Sequence, residues 1–172
     1  MILQALSQIK LLFLDVDGVL TDGSVLVTEE GQQLRKFSIK DGYALQLAVK
    51  AGLRIVVISG GRSQGVLLRL QGLGISDIYL GVSDKLTLMK EIIEGSGVVS
   101  PEIAFMGDDI PDLLCMQYVG VALCPNDAVE EIKAISGYVS PRNGGDGCVR
   151  DVIEKILKLR GLWNADVTVK SV

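Results

Sequence analysis

The chain has 172 residues, enough for one domain with a real core, and 48% of them are hydrophobic, which excludes a disordered protein. Aromatics make up only 5%, so the core must be aliphatic, and the formal net charge of −4 gives no electrostatic reason to expect nucleic acid, while leaving room for an anionic small substrate. Histidine is absent, which removes His-dependent triads, phosphohistidine chemistry and His-ligated zinc.

In chain order, MILQALSQIK lacks the basic start, long apolar stretch and small-residue cleavage site of a secretion signal. LLFLDV (11–16) predicts a first strand that runs into two acids, Asp15 and Asp17. GSVLVTEEGQQLRKFSI (23–39) reads as a β-hairpin around the turn EEG, inserted directly after that strand. Residues 41–51, DGYALQLAVKA, predict a helix with Asp41 as N-cap and Gly52 as its stop. Strands follow at LRIVVIS (53–59), DIYLG (77–81), EIAFMG (102–107) and GVALC (120–124). Helices are expected over 63–72, 84–94, 109–118, 126–134 and 148–160. Near-continuous apolar strands alternating with helices imply an α/β, doubly wound, Rossmann-like parallel sheet. One domain is expected over 1–163, with a flexible tail at 164–172. Charges interrupt every apolar run before it reaches membrane-span length. Cys115, Cys124 and Cys148 are odd in number and show no CxxC spacing, so they read as small core hydrophobes in a reducing cytoplasm.

Ligands of doubly wound sheets bind beyond the carboxyl ends of the strands. Asp15 and Asp17 sit at that end of the first strand. The second parallel strand runs into Ser59-Gly60-Gly61-Arg62, the third leads through GVSD to Lys85, and the fourth runs into Gly107-Asp108-Asp109 with Asp112 one turn on. Every polar group of interest therefore falls on one rim. A DxD pair alone could be a turn, but Asp15, Asp17, Asp108 and Asp109 crowded together would repel one another. A hard divalent cation resolves this, and oxygen ligands suit Mg2+. Ser59 followed by Gly-Gly can offer a hydroxyl and backbone N–H groups to a phosphate rather than merely cap a helix. Lys85 opens a helix, where the dipole disfavours a cation, so a job at the site supported by Asp109 or Asp112 accounts for it better than solvent does. Such groups suit phosphoryl transfer: a carboxylate attacks phosphorus, and a second one protonates the leaving oxygen and then activates water. The cations and N–H groups neutralise the transferring phosphoryl group.

The set resembles the haloacid dehalogenase (HAD) superfamily of phosphotransferases, with Asp15-Val-Asp17-Gly as first motif, Ser59 as second, Lys85 as third and Gly107-Asp108-Asp109 as fourth. The resemblance implies that Asp15 is the nucleophile and Asp17 the general acid/base. It also implies magnesium bound by Asp15, the Asp17 backbone carbonyl and Asp108. DVDGVLTDG, FSIKDGYALQLAVKAG, YLGVSDKL, MGDD and GGDGCVRDVIE narrow the resemblance to the 3-deoxy-D-manno-octulosonate 8-phosphate phosphatase family over about residues 8–163. That family implies no large cap domain, a sugar-acid phosphate substrate on the route to lipopolysaccharide, and a homotetramer assembled by the hairpins. Its substrate-contacting loop maps onto Ser38–Gly42, including Lys40 and Asp41, and Gly60 would face the phosphate. Lys40, Arg62 and Arg69 are the candidate cations for the substrate carboxylate.

The sequence departs from the family at Gly61, which shifts the usual Thr-Gly-Arg arginine to Arg62, and at Gln46, where the family has an arginine. A branch acting on nine-carbon keto-acid 9-phosphates is the nearest alternative. A non-catalytic tetramer-forming domain, like those fused to sialic-acid cytidylyltransferases, is a second, which the intact acids and lysine oppose. A receiver domain would lack the DxD, and a mutase would carry a cap.

Overall fold

A computed structural model describes all 172 residues. Six parallel strands form one sheet: β1 (Leu11–Leu14), β4 (Arg54–Ser59), β5 (Asp77–Leu80), β6 (Ile103–Met106), β7 (Val121–Cys124) and β8 (Tyr138–Val139), in the order β5-β4-β1-β6-β7-β8. The first strand in sequence is thus central, paired to β4 on one side and β6 on the other. Side chains alternate between faces, as the strand period of two requires. Leu12, Leu14, Ile55 and Val57 join one aliphatic core, while Leu11, Phe13, Val56 and Ile58 join the other. The first core is covered by α1 (Ile2–Gln8), α2 (Ile39–Lys50), α3 (Gln64–Gly72) and α7 (Cys148–Leu159), and the second by α4 (Lys85–Ser96), α5 (Leu113–Tyr118) and α6 (Glu130–Ile135). All three cysteines are buried and free, as small core residues.

The inserted hairpin is present and short: β2 (Leu26–Val27) pairs antiparallel with β3 (Gln33–Leu34). A bridge between Thr21 and Phe37 closes its base. No helix is long and apolar enough to cross a membrane.

Several local expectations are corrected. Ser38, not Asp41, caps α2, its hydroxyl accepting the Asp41 N–H at 3.3 Å. Asp41 is buried and reaches across to α7, accepting the Arg150 N–H at 2.7 Å and the Gly147 N–H at 3.3 Å. The expected helix over 109–118 is broken at Pro111 into a 3-10 turn, Ile110–Asp112, and α5. Residues 126–129 stay outside α6 because their N–H groups bond elsewhere, Asn126 to the Arg142 carbonyl and Val129 to the Asp108 carbonyl. The elements α1 and β8 had no counterpart in the sequence reading. Residues 164–172 lie along α2, where the Tyr43 hydroxyl donates to the Asp166 carbonyl and Gln46 donates to that of Lys170.

Candidate active site

Strand register brings the rim together. Leu14 pairs with Val57 on one side and Met106 on the other, so Asp15, the end of β4 and Gly107-Asp108 come level. The Asp15 N–H donates to the Met106 carbonyl at 3.1 Å, which fixes the departure of the chain from β1. It then turns through Gly18 at φ +88°, a conformation L side chains avoid. A Cβ there would lie 1.9 Å from Asp108 Oδ2, so the glycine lets the two motifs touch.

Lys85 begins α4, placed there by Asp84, which caps the helix through the Thr87 N–H. Its ammonium donates to Asp15 Oδ1 at 2.8 Å and to Asp112 Oδ1 at 2.7 Å, with all three residues buried. The other Asp112 oxygen accepts the Asp108 N–H at 3.2 Å. Asp112, not Asp109, is therefore the support of Lys85. Asp109 is exposed and its carboxylate turns back to its own helix, accepting the Ile110 N–H at 2.7 Å.

This cluster carries more negative charge than its own cation balances. Burial, then the Asp112 charge, pushes the Asp15 carboxyl up to about 6 against the pull of Lys85. Burial, followed by Asp15, Asp112 and Asp109, pushes Asp108 up to about 7. Burial opposes the charge on Lys85, yet Asp15 and Asp112 hold its ammonium above the ordinary lysine value. One carboxylate oxygen each from Asp15, Asp108 and Asp112 lies within 4.8 Å of the others. Asp108 Oδ1 is buried with no hydrogen-bond partner. A buried acceptor without a donor, among acids that resist ionising together, fits a hard divalent cation. Asp112 already serves Lys85 and the Asp108 N–H, so Asp15 and Asp108 are the side chains with capacity to spare. The Asp17 carboxylate is outside this cluster.

On the facing side, Ser59 ends β4, buried, with its hydroxyl accepting the Gly61 N–H at 3.2 Å. Ser59, Gly60 and Gly61 share a cavity of about 280 Å³ with Asp15, Asp17, Lys85 and Asp108. The other sequence candidates lie elsewhere in the chain. Ser38 and Lys40 line a separate cleft of about 530 Å³ against α7, with Arg142 and Arg150. Arg62 is exposed and folds over Gly81, and Arg69 packs against Gly42 with its Nε buried and unpartnered.

Three contributors escaped the sequence reading. Arg35, on the hairpin, grips Asp17, Nε to Oδ1 at 2.6 Å. The buried Thr21 hydroxyl accepts the N–H groups of Gly18 and Gly23, each at 3.3 Å. Gly144 and Gly145 seat against that same turn, where a Cβ on Gly144 would come 1.9 Å from the Gly18 carbonyl oxygen. The GGDG run was the visible signal for the last of these; the other two depend on tertiary approach.

No family model matches the chain. The 3-deoxy-D-manno-octulosonate 8-phosphate phosphatase KdsC of Escherichia coli is 34% identical over 153 residues, spanning 89% of this chain and 81% of that one. The chain belongs to the 3-deoxy-D-manno-octulosonate 8-phosphate phosphatase family. A solved member from Moraxella catarrhalis, in complex with magnesium, phosphate and KDO, superposes with a TM-score of 0.88 at 37% identity, covering 92% of this chain and 91% of that one. A HAD superfamily hydrolase of subfamily III A from Legionella pneumophila superposes at 0.89 with 33% identity, covering 92% and 87%. The likeness covers about nine-tenths of the chain, so the resemblance read from the motifs and the doubly wound α/β fold both hold.

Proposed function

We propose that the protein hydrolyses 3-deoxy-D-manno-octulosonate 8-phosphate to the free sugar acid and phosphate, through an aspartyl-phosphate on Asp15. The observation that carries this is Asp15 itself: a buried strand-end carboxylate with one oxygen held by Lys85, facing a cavity walled by Ser59 and two glycines. The oxygen that Lys85 leaves free attacks phosphorus, and Asp17 gives a proton to the departing sugar oxygen. Asp17 then takes a proton from water as that water attacks the acyl-phosphate, which releases phosphate and restores Asp15. The Ser59 hydroxyl and the Gly60 N–H hold phosphoryl oxygens throughout. Lys85 keeps Asp15 oriented, and Asp112 keeps Lys85 in place.

Magnesium would be held by Asp15, Asp108 and the Asp17 backbone carbonyl. When bound, it supplies the positive charge that lets these acids ionise together and that neutralises the phosphoryl oxygens.

We assign the protein to lipopolysaccharide biosynthesis in the cytoplasm, as a homotetramer built through the hairpin. The hairpin supports this: Leu26 is 68% and Val27 61% exposed on a two-stranded unit that has no core of its own. In such an assembly Ser38, Lys40 and Arg62, which do not line the acid cavity of their own subunit, are the groups offered to the sugar acid of an adjoining one, while Asp41 and Gly42 stay buried at the start of α2. Residues 1–163 form the catalytic domain and 164–172 a tail.

The test is phosphate release from a panel of sugar phosphates that includes the eight- and nine-carbon keto-acid phosphates, with magnesium or chelator. Magnesium-dependent preference for the eight-carbon acid, abolished in Asp15→Asn, is expected. Preference for the nine-carbon acid would overturn the substrate, and inactivity on every member would overturn the reaction.

A further inference from the structure

The hairpin sends one side chain inward. Arg35 follows β3 directly, and its guanidinium meets Asp17 edge to edge, Nε on Oδ1 at 2.6 Å and Nη2 on Oδ2 at 3.3 Å. Two parallel bonds fix the plane of a carboxylate as well as its position. The Arg35 side chain is only 8% exposed, whereas its neighbours Leu34 and Lys36 are open to solvent. Room for the pair comes from Gly61, where a Cβ would stand 3.3 Å from Asp17 Oδ2 and 3.4 Å from Arg35 Nη2. The segment is anchored two residues further on, where Phe37 bridges to Thr21 and packs on the main core.

We propose that Arg35 is a positioning residue for the phosphatase reaction, holding the Asp17 carboxylate in reach of the leaving oxygen. The hairpin is then a working part of the site in its own subunit, beyond any role in assembly. This rests on the role given to Asp17 above. The Asp17 side chain is 35% exposed, and Arg35 provides its side-chain hydrogen bonds. Released from that fork, it samples its staggered rotamers, and only a fraction of them aim at the substrate. Such a loss of orientation acts on the chemical step and leaves substrate binding largely intact.

Arg35→Ala and Arg35→Lys are compared with the unmodified enzyme on 3-deoxy-D-manno-octulosonate 8-phosphate, with oligomeric mass recorded alongside. Arg35→Ala should lower kcat by roughly tenfold to a hundredfold with KM within about twofold and mass unchanged. Arg35→Lys, which keeps one charged donor, should recover part of that loss. Thermal unfolding of the metal-free protein gives a second readout. The double variant Arg35→Ala, Asp17→Asn should lose less than the sum of the two single losses. Unchanged kcat, a rise in KM alone, loss of activity that tracks dissociation, or additive thermal losses would each overturn the role of Arg35 while leaving the proposed reaction standing. An unmodified enzyme inert on the substrate would overturn both.

Discussion

Replacing Lys85 with methionine removes a buried cation and keeps much of its volume. Two carboxylates then lose their shared partner, since Lys85 lies 2.8 Å from Asp15 and 2.7 Å from Asp112. Breaking a buried ion pair on one side costs about 3–5 kcal/mol, because a charge is left without compensation. In the metal-free protein this cost must depend on pH. Asp15 and Asp108 have folded values of about 6 and about 7, both raised above the ordinary 3.8. Each therefore binds its proton more tightly folded than unfolded. Its penalty on stability is absent below the unfolded value and complete above the folded one. Without Lys85 the folded values climb further, so the deficit is largest at about pH 8 and shrinks as pH falls through about 7 and 6. Urea unfolding in chelator should show it. With a slope of about 2 kcal/mol/M, the variant's midpoint falls roughly 2 M at about pH 8 and by less than half of that at about pH 5. An equal loss at both values, or a deficit that grows on acidification, would refute the account of the acids as uncompensated charge.

Two further outcomes follow from the site and the hairpin. Gly18→Ala places a methyl where the Asp108 carboxylate now sits, at φ +88°. It should weaken magnesium binding by at least about tenfold in calorimetry, beyond about 1–2 kcal/mol of backbone strain, and unaltered affinity would show that the two motifs do not need to touch. Leu26→Asp adds a charge to the hairpin at a residue that is 68% exposed, so thermal stability of the subunit should hardly change. Light scattering should report a smaller assembly, and an unchanged mass would remove the hairpin from the interface.

The site was legible wherever it depended on strand ends. LLFLDV, LRIVVIS and EIAFMG are near-continuously apolar, so a parallel sheet is the arrangement that covers both of their faces, and their polar ends must then share a rim. What the sequence could not decide was geometry within a turn. Asp109 and Asp112 were equal candidates to support Lys85 until Pro111 tightened the chain into a 3-10 turn and swung Asp112 inward. Asp41 looked like a helix cap by local rules, yet its partners Gly147 and Arg150 lie 106 and 109 residues away. Arg35 reads as one more charge in a polar hairpin, and only the return of the hairpin to the turn after β1, at the Thr21–Phe37 bridge, brings it to Asp17. The element α1 was missed because seven residues with one buried side chain, Leu6, leave too little periodicity to see. The strand β8 has two residues, and no period of two can be read from so few.

The seating of Gly144 and Gly145 against the turn after β1 bears on how the molecule is made. Asp15, Lys85, Asp108 and Asp112 all precede residue 144 in the chain, so each leaves the ribosome before it does. The turn after Asp15 has no backing until residues 144 and 145 are in place, and before α7 forms Asp41 has no helix to hold. The site is therefore assembled by the last fifth of the chain. A chain that stops short of residue 144 carries the motifs without that backing, so closure of the acid cluster waits on the docking of the Gly144–Gly145 turn and α7.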